Sequence, residues 1–362
     1  METITKKHKP LITEVYTENG WINIKNVKIN DKIFTLNSNN NIEIQPISNI
    51  VKKKYNDNMY RFYNINLDML LTKNHKIALW DRKNEIYTTF ASELYDNLQN
   101  KNSITLQSYI QHSGNWNGTY EEFFTIPDSN IKIKSEDWAA FLGIYIAEGH
   151  CSGSKGGENK YEITITQVKS EQQNKILNLL DKLPFIYKKY GNQRQFTIKN
   201  IPLYNHLIKL GSSHYKFIPE YAKNWSKDLL TILLDWLLIG DGKNRKSRGK
   251  FLKEYFTTSP KLSIDVFEIM MKLGTGATIS EHIPKDRFIN DLKNGIKVPR
   301  LIKAENSAKI YLIHARTTRG AGISKWLKTE LIKVSRVIYH IDVPNKIWLM
   351  KYNNKVSWTM GL

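Results

Sequence analysis

The sequence predicts an α+β fold in which a β-rich part is divided by a largely helical part. Short segments rich in β-branched and aromatic residues fill roughly the first hundred positions. Two nearly all-apolar runs follow, and about forty residues at the end return to a β pattern. We therefore predict one all-β unit built from both ends of the chain, with a duplicated helical unit inserted between them.

Strand patterns occur at both ends of the chain. Turn-forming groups such as Glu18-Asn19-Gly20 and Pro344-Asn345 separate them. Residues Gln111–Asp128 lack a clear period and are interpreted as a linker. The predicted strands are Thr13–Tyr16, Lys32–Leu36, Met59–Asn64, Lys76–Leu79, Val337–Val343 and Lys346–Tyr352.

Two apolar runs predict buried helices in the central part. The first, WAAFLGIYIAEG, ends at Glu148-Gly149, and the second, LLTILLDWLLIGDG, ends at Asp241-Gly242. Because both runs are apolar on almost every side, each helix is expected to be buried on most faces. Ser135, which two acidic residues follow, is the predicted N-cap of the first helix.

Matched intervals indicate an internal duplication. The acids that end the two runs lie 93 residues apart, and a helical apolar stripe follows each run after a threonine-containing β stretch. Two copies are too few for a solenoid, so we predict a monomer with a pseudo-two-fold pair of repeats. The stripes are Ile176, Leu179, Leu180 and Leu183, and Val266, Ile269, Met270 and Leu273.

The composition favours a polyanion as partner. The chain has 54 Lys and Arg against 34 Asp and Glu, which gives a net charge of +20 and a pI near 9.6. The alternative is a lysine-rich composition in which the extra charges are only solvated. A single cysteine, Cys151, excludes an internal disulfide, and no apolar run is long enough to cross a membrane. We expect a soluble, cytoplasmic protein, with a bacterial or phage-infected cell as a plausible setting.

The two run-ending acids are the candidate metal ligands. A carboxylate at a helix C-terminus adds to the partial negative charge already there, so two such ends brought together would repel unless a cation lay between them. Oxygen ligands of this kind suit Mg²⁺, which also takes phosphate and water. The alternative is that Glu148 and Asp241 only solvate the helix ends, with Gly149 and Gly242 as left-handed caps.

Residues Phe141–Gly149 and Leu234–Gly242 resemble the nine-residue LAGLIDADG motif of homing endonucleases. In that family the two motif helices pack through small residues and bring two metal-binding acids to the centre of a DNA-binding saddle. The resemblance implies an αββαββα repeat, with Glu148 and Asp241 as catalytic metal ligands and Gly149 and Gly242 as further metal contacts. Trp236 departs from the small residue usual in the motif, so we expect it at the edge of the helix crossing.

The segment Lys216-Phe217-Ile218-Pro219 also resembles the family, in which this lysine commonly reaches the active site. Lys216 is therefore the third candidate catalytic residue, expected to stabilise the attacking water or the phosphate charge. The alternative is one surface lysine among many. Arg316 and Arg319 are the candidates for the equivalent position in the second repeat.

The resemblance implies hydrolysis of both strands of double-stranded DNA at a long recognition site, with Mg²⁺ as cofactor and Mn²⁺ as a substitute. DNA contacts are expected from the strands after each helix. Lysine and arginine there would mostly hold phosphates, and only some would contact base edges. The candidates are Thr164, Thr166, Arg194, Gln195 and Thr197 in the first repeat, and Arg245, Arg248, Lys250 and Lys253 in the second.

The β-rich ends resemble the Hint fold of inteins. Thr13–Trp21 is similar to the first intein block, Val337–Lys351 to a block near the intein C-terminus, and Thr72-Lys73-Asn74-His75 to the T-x-x-H block. Splicing also requires a Cys or Ser that opens the first block and an Asn that closes the last. Neither is found at those positions, so Thr72 and His75 are interpreted as a vestigial Hint site, and a free-standing nuclease from a mobile genetic element is expected.

These patterns predict three segments: 1–127 and 323–362 as a discontinuous Hint-like β domain, and 128–322 as the LAGLIDADG endonuclease domain. The repeats are expected at about 135–215 and 226–320. Two alternatives stay open: an intein with altered junctions, and a maturase-like protein that binds DNA or RNA without cutting. The sequence does not specify the DNA target.

Overall fold

The structure is a computed structural model that describes residues 13–83, 85–100, 108–111, 113–153, 161–191, 194–247, 250–293, 296–315, 320–323 and 327–361. The chain divides into two compact units. The first comprises residues 1–117, 274–278 and 316–362, and the second comprises residues 118–273 and 279–315. Each unit buries its own set of residues between its helices and sheets.

The first part of the chain is almost entirely β-structure, with one amphipathic helix. Its strands and helix are β1 (Thr13–Thr17), β2 (Gly20–Asn23), β3 (Lys32–Leu36), β4 (Ile42–Pro46), β5 (Asn49–Tyr63), β6 (Asp68–Leu71), β7 (Lys76–Trp80), β8 (Ile86–Phe90), α1 (Ala91–Gln99) and β9 (Tyr109–Gln111).

The central part alternates helices with short strands. Its elements are β10 (Phe123–Thr125), β11 (Lys132–Lys134), α2 (Ser135–Glu148), β12 (Gly149–Ser152), β13 (Glu162–Thr166), α3 (Ser170–Leu180), β14 (Tyr187–Tyr190), β15 (Gln195–Lys199), α4 (Ile201–Leu207), α5 (Glu220–Lys223), α6 (Lys227–Asp241), β16 (Gly242–Ser247), β17 (Lys250–Thr257), α7 (Pro260–Lys272), β18 (Ala277–His282), β19 (Arg287–Lys293), β20 (Ile296–Ile302) and β21 (Ile310–Ala315).

The last part returns to strands, and these pair with strands from the beginning of the chain. They are β22 (Gly320–Gly322), β23 (Lys328–Asp342), β24 (Ile347–Tyr352) and β25 (Lys355–Met360). Antiparallel pairs join β1 to β24, β9 to β22 and β5 to β23. Because the two ends of the chain pair directly, the first unit has one core, which includes Val15, Phe62, Ile77, Ile341 and Trp348.

The second unit contains two four-stranded antiparallel sheets with the same order of connection. One has the order β12-β13-β15-β14, and the other has the order β16-β17-β21-β18. In each, a long helix (α2 or α6) precedes the sheet, and a second helix (α3 or α7) lies between its second and third strands in sequence. The second set also carries a two-stranded hairpin, β19–β20, between β18 and β21.

Burial of α2 and α6 agrees with the apolar patterns that predicted them. Ten of the fourteen residues of α2 are buried, all between Ser135 and Ile146. Helix α6 buries Leu229, Leu230, Leu233, Leu234 and Leu237. The predicted N-cap is wrong by one position: Ser135 is the first helical residue, and Lys134 is the N-cap without a side-chain cap hydrogen bond. The Ser135 amide instead donates to the Glu122 carbonyl oxygen from the strand hairpin before the helix.

Two other expectations need correction. The strands expected at Met59–Asn64 and Val337–Val343 are the C-terminal ends of the fifteen-residue strands β5 and β23, which stop one residue earlier, at Tyr63 and Asp342. The segment interpreted as a linker contains the short strand β10, which pairs with β11.

No helix in the described part of the chain is long and apolar enough to cross a membrane.

Candidate functional site

Helices α2 and α6 cross in backbone contact at two glycines. A Cβ added at Gly143 would lie 2.7 Å from the carbonyl oxygen of Leu233 and 2.8 Å from Cβ of Trp236. A Cβ added at Gly240 would lie 2.9 Å from Cγ of Glu148. The Cβ of Trp236 therefore lies in the contact face itself, with its side chain half-buried, so the expectation that Trp236 lies at the edge of the crossing is wrong for its Cβ.

Each helix passes directly into a strand at the glycine after its acid. Gly149 has φ −91° and ψ 155°, and Gly242 has φ −106° and ψ 164°. Both are extended, so the alternative of left-handed glycine caps is wrong. A Cβ would lie 2.7 Å from the Tyr145 carbonyl oxygen at Gly149, and 2.5 Å from the Leu238 carbonyl oxygen at Gly242. The sharp helix-to-strand transition thus requires glycine at both positions.

The crossing brings Glu148 next to the end of α6. A Cβ on Gly240 would lie 3.5 Å from Glu148 Oε1, and Gly240 directly precedes Asp241. Asp241 keeps an exposed edge, yet desolvation raises its pKa to about 6, and the charge of Glu148 adds to the rise. Desolvation also raises the pKa of Glu148. A cation at this place would relieve both the repulsion and the desolvation penalty.

Lys216 closes the C-terminus of α2. Its side chain is buried, and Nζ donates to the carbonyl oxygens of Tyr145 at 2.9 Å, Ile146 at 2.7 Å and Gly149 at 2.6 Å. An ammonium group has three N–H donors, so all three are used on the helix end. This placement favours the buried-site interpretation of Lys216 over a surface lysine. It also differs from the expected direct contact with water or phosphate.

The charges of the acids and of Lys216 act on one another. Desolvation lowers the pKa of Lys216 to about 8, while Asp241 and Glu148 oppose this shift. Conversely, Lys216 opposes the rise in the pKa of both acids. A cavity of about 290 Å³ adjoins this region and is lined by Ala147, Ser213, Lys216, Asp241, Thr257 and Thr258, among others. The cavity leaves Asp241 accessible to a ligand.

Helix α7 fixes the segment that carries Lys216. Ser259 Oγ donates to the Lys216 carbonyl oxygen at 2.6 Å, and the Ile218 amide donates to Asp265 Oδ2 at 3.0 Å. Buried Lys223 contacts Glu268 Oε2 at 3.2 Å further along the same segment. These contacts join residues distant in sequence, so no local pattern indicates them.

Two further residues of the site were missed by sequence reasoning. Gln167 is buried, and its Nε2 donates to Glu148 Oε1 at 3.2 Å while its Oε1 accepts from the amide of Val168. Tyr255 pairs in register with Gly242 and is fully buried, with its hydroxyl lacking a hydrogen-bond partner among the described residues. Tyr255 lies in a strand that also holds Lys253 and Glu254, so no local pattern marks it.

Most DNA-binding candidates of the first repeat lie on one polar face of the β12–β15 sheet. Directly paired residues in antiparallel strands point to the same side. Thr164 pairs with Thr197, and their hydroxyls lie 3.1 Å apart. Thr166 pairs with Gln195, on the same side as the Thr164 pair. Arg194 is exposed in the turn before β15. Four of the five candidates therefore share a face opposite the buried Ile163 and Ile165.

The candidates of the second repeat are placed less uniformly. Lys253 donates to Asp235 of α6 at 2.6 Å, so this lysine is turned toward the helix and is engaged in an ion pair. Arg245 and Lys250 belong to the paired strands β16 and β17. Arg248, Arg316 and Arg319 lie outside the described residues.

The first unit contains a cavity of about 420 Å³ around the T-x-x-H segment. Thr72, His75, His340 and Thr359 line it, and a His75 ring nitrogen lies 2.9 Å from Thr359 Oγ1. Burial lowers the pKa of His75 to about 4, and the neighbouring His340 adds to this effect. His75 is therefore neutral at pH 7.

The donor set at the helix ends fits a hard divalent cation only in part. Among the described residues, no group of three or more His, Cys, Asp or Glu side chains is arranged to hold a metal. The two acids leave room for phosphate and water ligands, as Mg²⁺ prefers. The Gly149 carbonyl already accepts from Lys216, which makes it a weaker metal ligand than the acids.

No protein-family model matches the chain. It is 27% identical over 300 residues to an ATP-dependent Clp protease proteolytic subunit of Chlamydomonas moewusii, covering 77% of this chain and 28% of that protein. It is 23% identical to a DNA-directed RNA polymerase subunit beta C-terminal section of Stigeoclonium helveticum, covering 96% of this chain and 35% of that protein. The chain thus spans about a third or less of the curated relatives that it matches.

Several solved structures are similar to parts of the chain. A mesophilic variant of the homing endonuclease I-DmoI is 16% identical, with a TM-score of 0.34, and covers 51% of this chain and 89% of its own. The N-terminal LAGLIDADG domain of DUF199/WhiA is 14% identical, with a TM-score of 0.28, and covers 51% and 78%. An AceL NrdHF class 3 split intein is 19% identical, with a TM-score of 0.24, and covers 34% and 69%.

Proposed function

We propose that this chain is a site-specific DNA endonuclease that hydrolyses both strands of duplex DNA with Mg²⁺, acting as a monomer. The observation that carries the proposal is that α2 and α6 are buried and cross, and that this crossing places the Glu148 side chain next to Gly240, the residue before Asp241. Burial raises the pKa of both acids, and the charge of Glu148 raises that of Asp241 further, so a shared cation would lower the cost of ionising them.

Glu148 and Asp241 are the residues that would hold the cation, which supplies a water of lowered pKa and neutralises charge on the phosphate. Mn²⁺ is expected to replace Mg²⁺. Gln167 holds the Glu148 carboxylate in place through its Nε2 donor. Lys216 keeps the α2 terminus closed and favours the ionised form of both acids. We leave Gly149 and Gly242 the role of placing the acids rather than of binding the metal.

DNA would lie across the polar faces of the two four-stranded sheets. Thr166 and Gln195 offer hydroxyl and amide groups on one face, which suits hydrogen bonds to base edges. Thr164 and Thr197 on the same face are buried and hydrogen-bonded to each other. The matched order of the two sheets supports an internal pseudo-two-fold arrangement of αββαββα repeats, in which each repeat contacts half of the DNA site. Residues 128–322 form the endonuclease domain in this proposal.

The curated relatives support a mobile segment. One relative is named as a protease subunit and another as a polymerase subunit, and the matched region is 28% and 35% of their lengths. Proteins with such different names that share one such region are more simply explained by an inserted element than by a shared host activity. Residues 1–127 and 323–362 would then form the Hint-like domain.

The proposal is tested by replacing each acid with its amide. Glu148→Gln or Asp241→Asn should lower double-strand cleavage by at least about 100-fold, because each removes a charged ligand, while DNA affinity stays within a few-fold. A plasmid library incubated with Mg²⁺, followed by sequencing of cut ends, supplies the target. Loss of one acid is compatible with residual nicking of one strand.

The matched controls are the first-turn acids of the same helices. Glu136→Gln in α2 and Asp228→Asn in α6 make the same chemical change at the opposite helix ends, and both should cut like the unaltered protein. Cleavage at the unaltered rate by both site variants would show that the acids are not the active site.

Protein splicing is the second candidate, and the His75–Thr359 contact in the cavity of the first unit favours it. A neutral histidine in a cavity has a ring nitrogen that is able to accept a proton as a general base. Flanking peptides with a Cys before Thr13 and an Asn after Met360 should yield a ligated product if this candidate is right. The absence of ligation in that fusion would exclude it.

A further inference from the structure

We propose that the long β5–β23 ribbon of the first unit is a second DNA-binding surface, which docks in the major groove of duplex DNA. The inference rests on the proposed function only in taking duplex DNA as the partner. The ribbon face is defined by Lys52, Lys54, Asn56, Asn58, Lys333, Ser335, Val337 and Tyr339.

Register places these residues on one side of the ribbon. Lys52 is paired with Tyr339, Lys54 with Val337, Asn56 with Ser335 and Asn58 with Lys333. Because side chains alternate along a strand and directly paired residues share a side, all eight face the same way. The opposite side contains the buried residues Met59 and Ile338. The core residues Phe62 and Ile341 lie on the same side as the eight residues but beyond the two ends of the ribbon face, where the ribbon joins the core of the first unit.

The ribbon face is exposed and carries one sign of charge. Seven of the eight residues are exposed, and Tyr339 is half-buried with Lys52 Nζ 5.7 Å from its ring centroid. The eight positions include three lysines and no carboxylate. Over Lys52–Asn58, β5 pairs with β23, whereas β6 pairs with β5 at Tyr60–Tyr63. This part therefore projects as a two-stranded ribbon.

The dimensions and the side chains suit duplex DNA. Six residue steps from Lys52 to Asn58 span about 20 Å at about 3.4 Å each, close to the rise of six base pairs. The major groove of B-form DNA admits a two-stranded ribbon, whereas the deep, narrow major groove of duplex RNA does not. Lysines at both ends of the face would contact phosphates, and Asn56 and Asn58 between them are suited to adenine edges.

The test uses the full-length chain, a 40-base-pair duplex and no divalent metal, so that binding is measured without cleavage. The ribbon variant is Lys52→Gln, Lys54→Gln and Lys333→Gln together. The control is Lys25→Gln, Lys28→Gln and Lys32→Gln, which removes three exposed lysines of the same unit outside the ribbon. The dissociation constant of each is measured between 50 and 200 mM KCl.

The plot of log affinity against log salt concentration should be less steep for the ribbon variant, with a slope smaller in magnitude by roughly 2–3. Each lost phosphate contact lowers that magnitude by about 0.9. The control should keep the slope of the unaltered protein. Asn56→Ala with Asn58→Ala should keep the slope and change the preference among duplex sequences. Should the triple variant fold poorly, Lys54→Gln alone carries the test, with an expected change of about 1.

Equal slopes for the ribbon variant and the control would overturn the inference. It would also be overturned if the protein bound duplex RNA as tightly as duplex DNA and the RNA binding depended on the same three lysines. If the protein cuts DNA and the ribbon variant still shows the unaltered slope, the ribbon inference fails alone. If the unaltered protein binds duplex DNA with no salt dependence, the proposed function fails with it.

Discussion

At the scale of single residues, Lys216 links the candidate site to the fold around it. Its ammonium group donates to three carbonyl oxygens at the end of α2, and its charge favours ionisation of Glu148 and Asp241. A helix C-terminus carries partial negative charge, so a buried cation there also offsets the repulsion felt by the adjacent acid. One side chain thus stabilises both the helix end and the charge state of the site.

Lys216→Met should therefore weaken the site and the fold together. Three carbonyls lose their donor, which should destabilise the second unit by about 1–3 kcal/mol. The pKa of Asp241 should rise further above about 6, so more Mg²⁺ should be required for half-maximal cleavage at pH 7. The measurements are urea unfolding and a Mg²⁺ titration of cleavage. Lys209→Met, at an exposed position, is the control, and identical curves for the two variants would contradict this role of Lys216.

His75 predicts a pH dependence of stability in the first unit. Burial holds its pKa at about 4, below the value of 6.5 expected in an unfolded chain. The unfolded state therefore binds the proton more readily, and stability should be lost as pH falls from 6.5 to 4. A shift of 2.5 pH units corresponds to roughly 3 kcal/mol.

Urea unfolding of the unaltered protein and of His75→Asn at several pH values measures this loss. The difference in unfolding free energy between the two should change by roughly 3 kcal/mol from pH 7.5 to 4, since the variant lacks the titrating ring. His150→Asn, at an exposed position of β12, is the control and should run parallel to the unaltered protein. A His75 variant with the same pH slope as the control would refute the assignment.

At the scale of elements, the sequence predicts what depends on local patterns, and it does not predict what depends on contacts between distant residues. The two apolar helices and their terminal acids were predicted because a run that is apolar on all sides, ended by an acid and a glycine, is a local pattern. Lys216 was singled out by its motif, but its three carbonyl partners lie at least 67 positions away and could not be inferred. The supporting contacts from Ser259 and Asp265 are long-range for the same reason.

The lengths of the strands also depend on long-range contacts that the sequence does not predict. The group Asn56-Asp57-Asn58 is composed of turn-forming residues, yet it lies inside β5. Fifteen consecutive pairs with β23 hold it extended, so pairing with a strand about 280 residues away overrides the local preference. The hairpin β19–β20 was not predicted either, because its residues lack a regular alternation of apolar and polar side chains.

The crossing of α2 and α6 makes a prediction about Gly143. Gly143→Ala places a Cβ within 2.8 Å of Trp236 Cβ and 2.7 Å of the Leu233 carbonyl oxygen, so the helices must separate. Overpacking of this kind should cost about 1–3 kcal/mol and lower cleavage, because the acids move apart. Gly322→Ala, whose Cβ would have no neighbour within 4 Å, is the control, and equal stability of both alanine variants would argue against close packing.

At the scale of the whole molecule, strands from the two ends of the chain interleave in one unit, and a second unit is formed by the residues between them. Division into two such units is described by the structure, whereas the limits at residues 127 and 322 and the Hint and endonuclease identities stay predictions. A sequence pattern assigns each strand locally, but it does not state which strands pair. The resemblance to two families supplied the expectation that the ends would meet.

The net charge of +20 predicts how the whole molecule binds DNA. A protein that neutralises about 6–10 phosphates should lose on the order of 10³–10⁵ in affinity between 50 and 200 mM salt, because each contact releases condensed counterions. Lysines that are only solvated release none, so the slope separates a DNA-binding surface from a lysine-rich composition. The measurement is a fluorescence-anisotropy titration of duplex DNA without divalent metal. An uncharged apolar competitor should leave the slope unchanged, whereas a second polyanion should displace the DNA. A slope near zero would mean that the excess charge serves solvation alone, and it would contradict duplex DNA as the main partner.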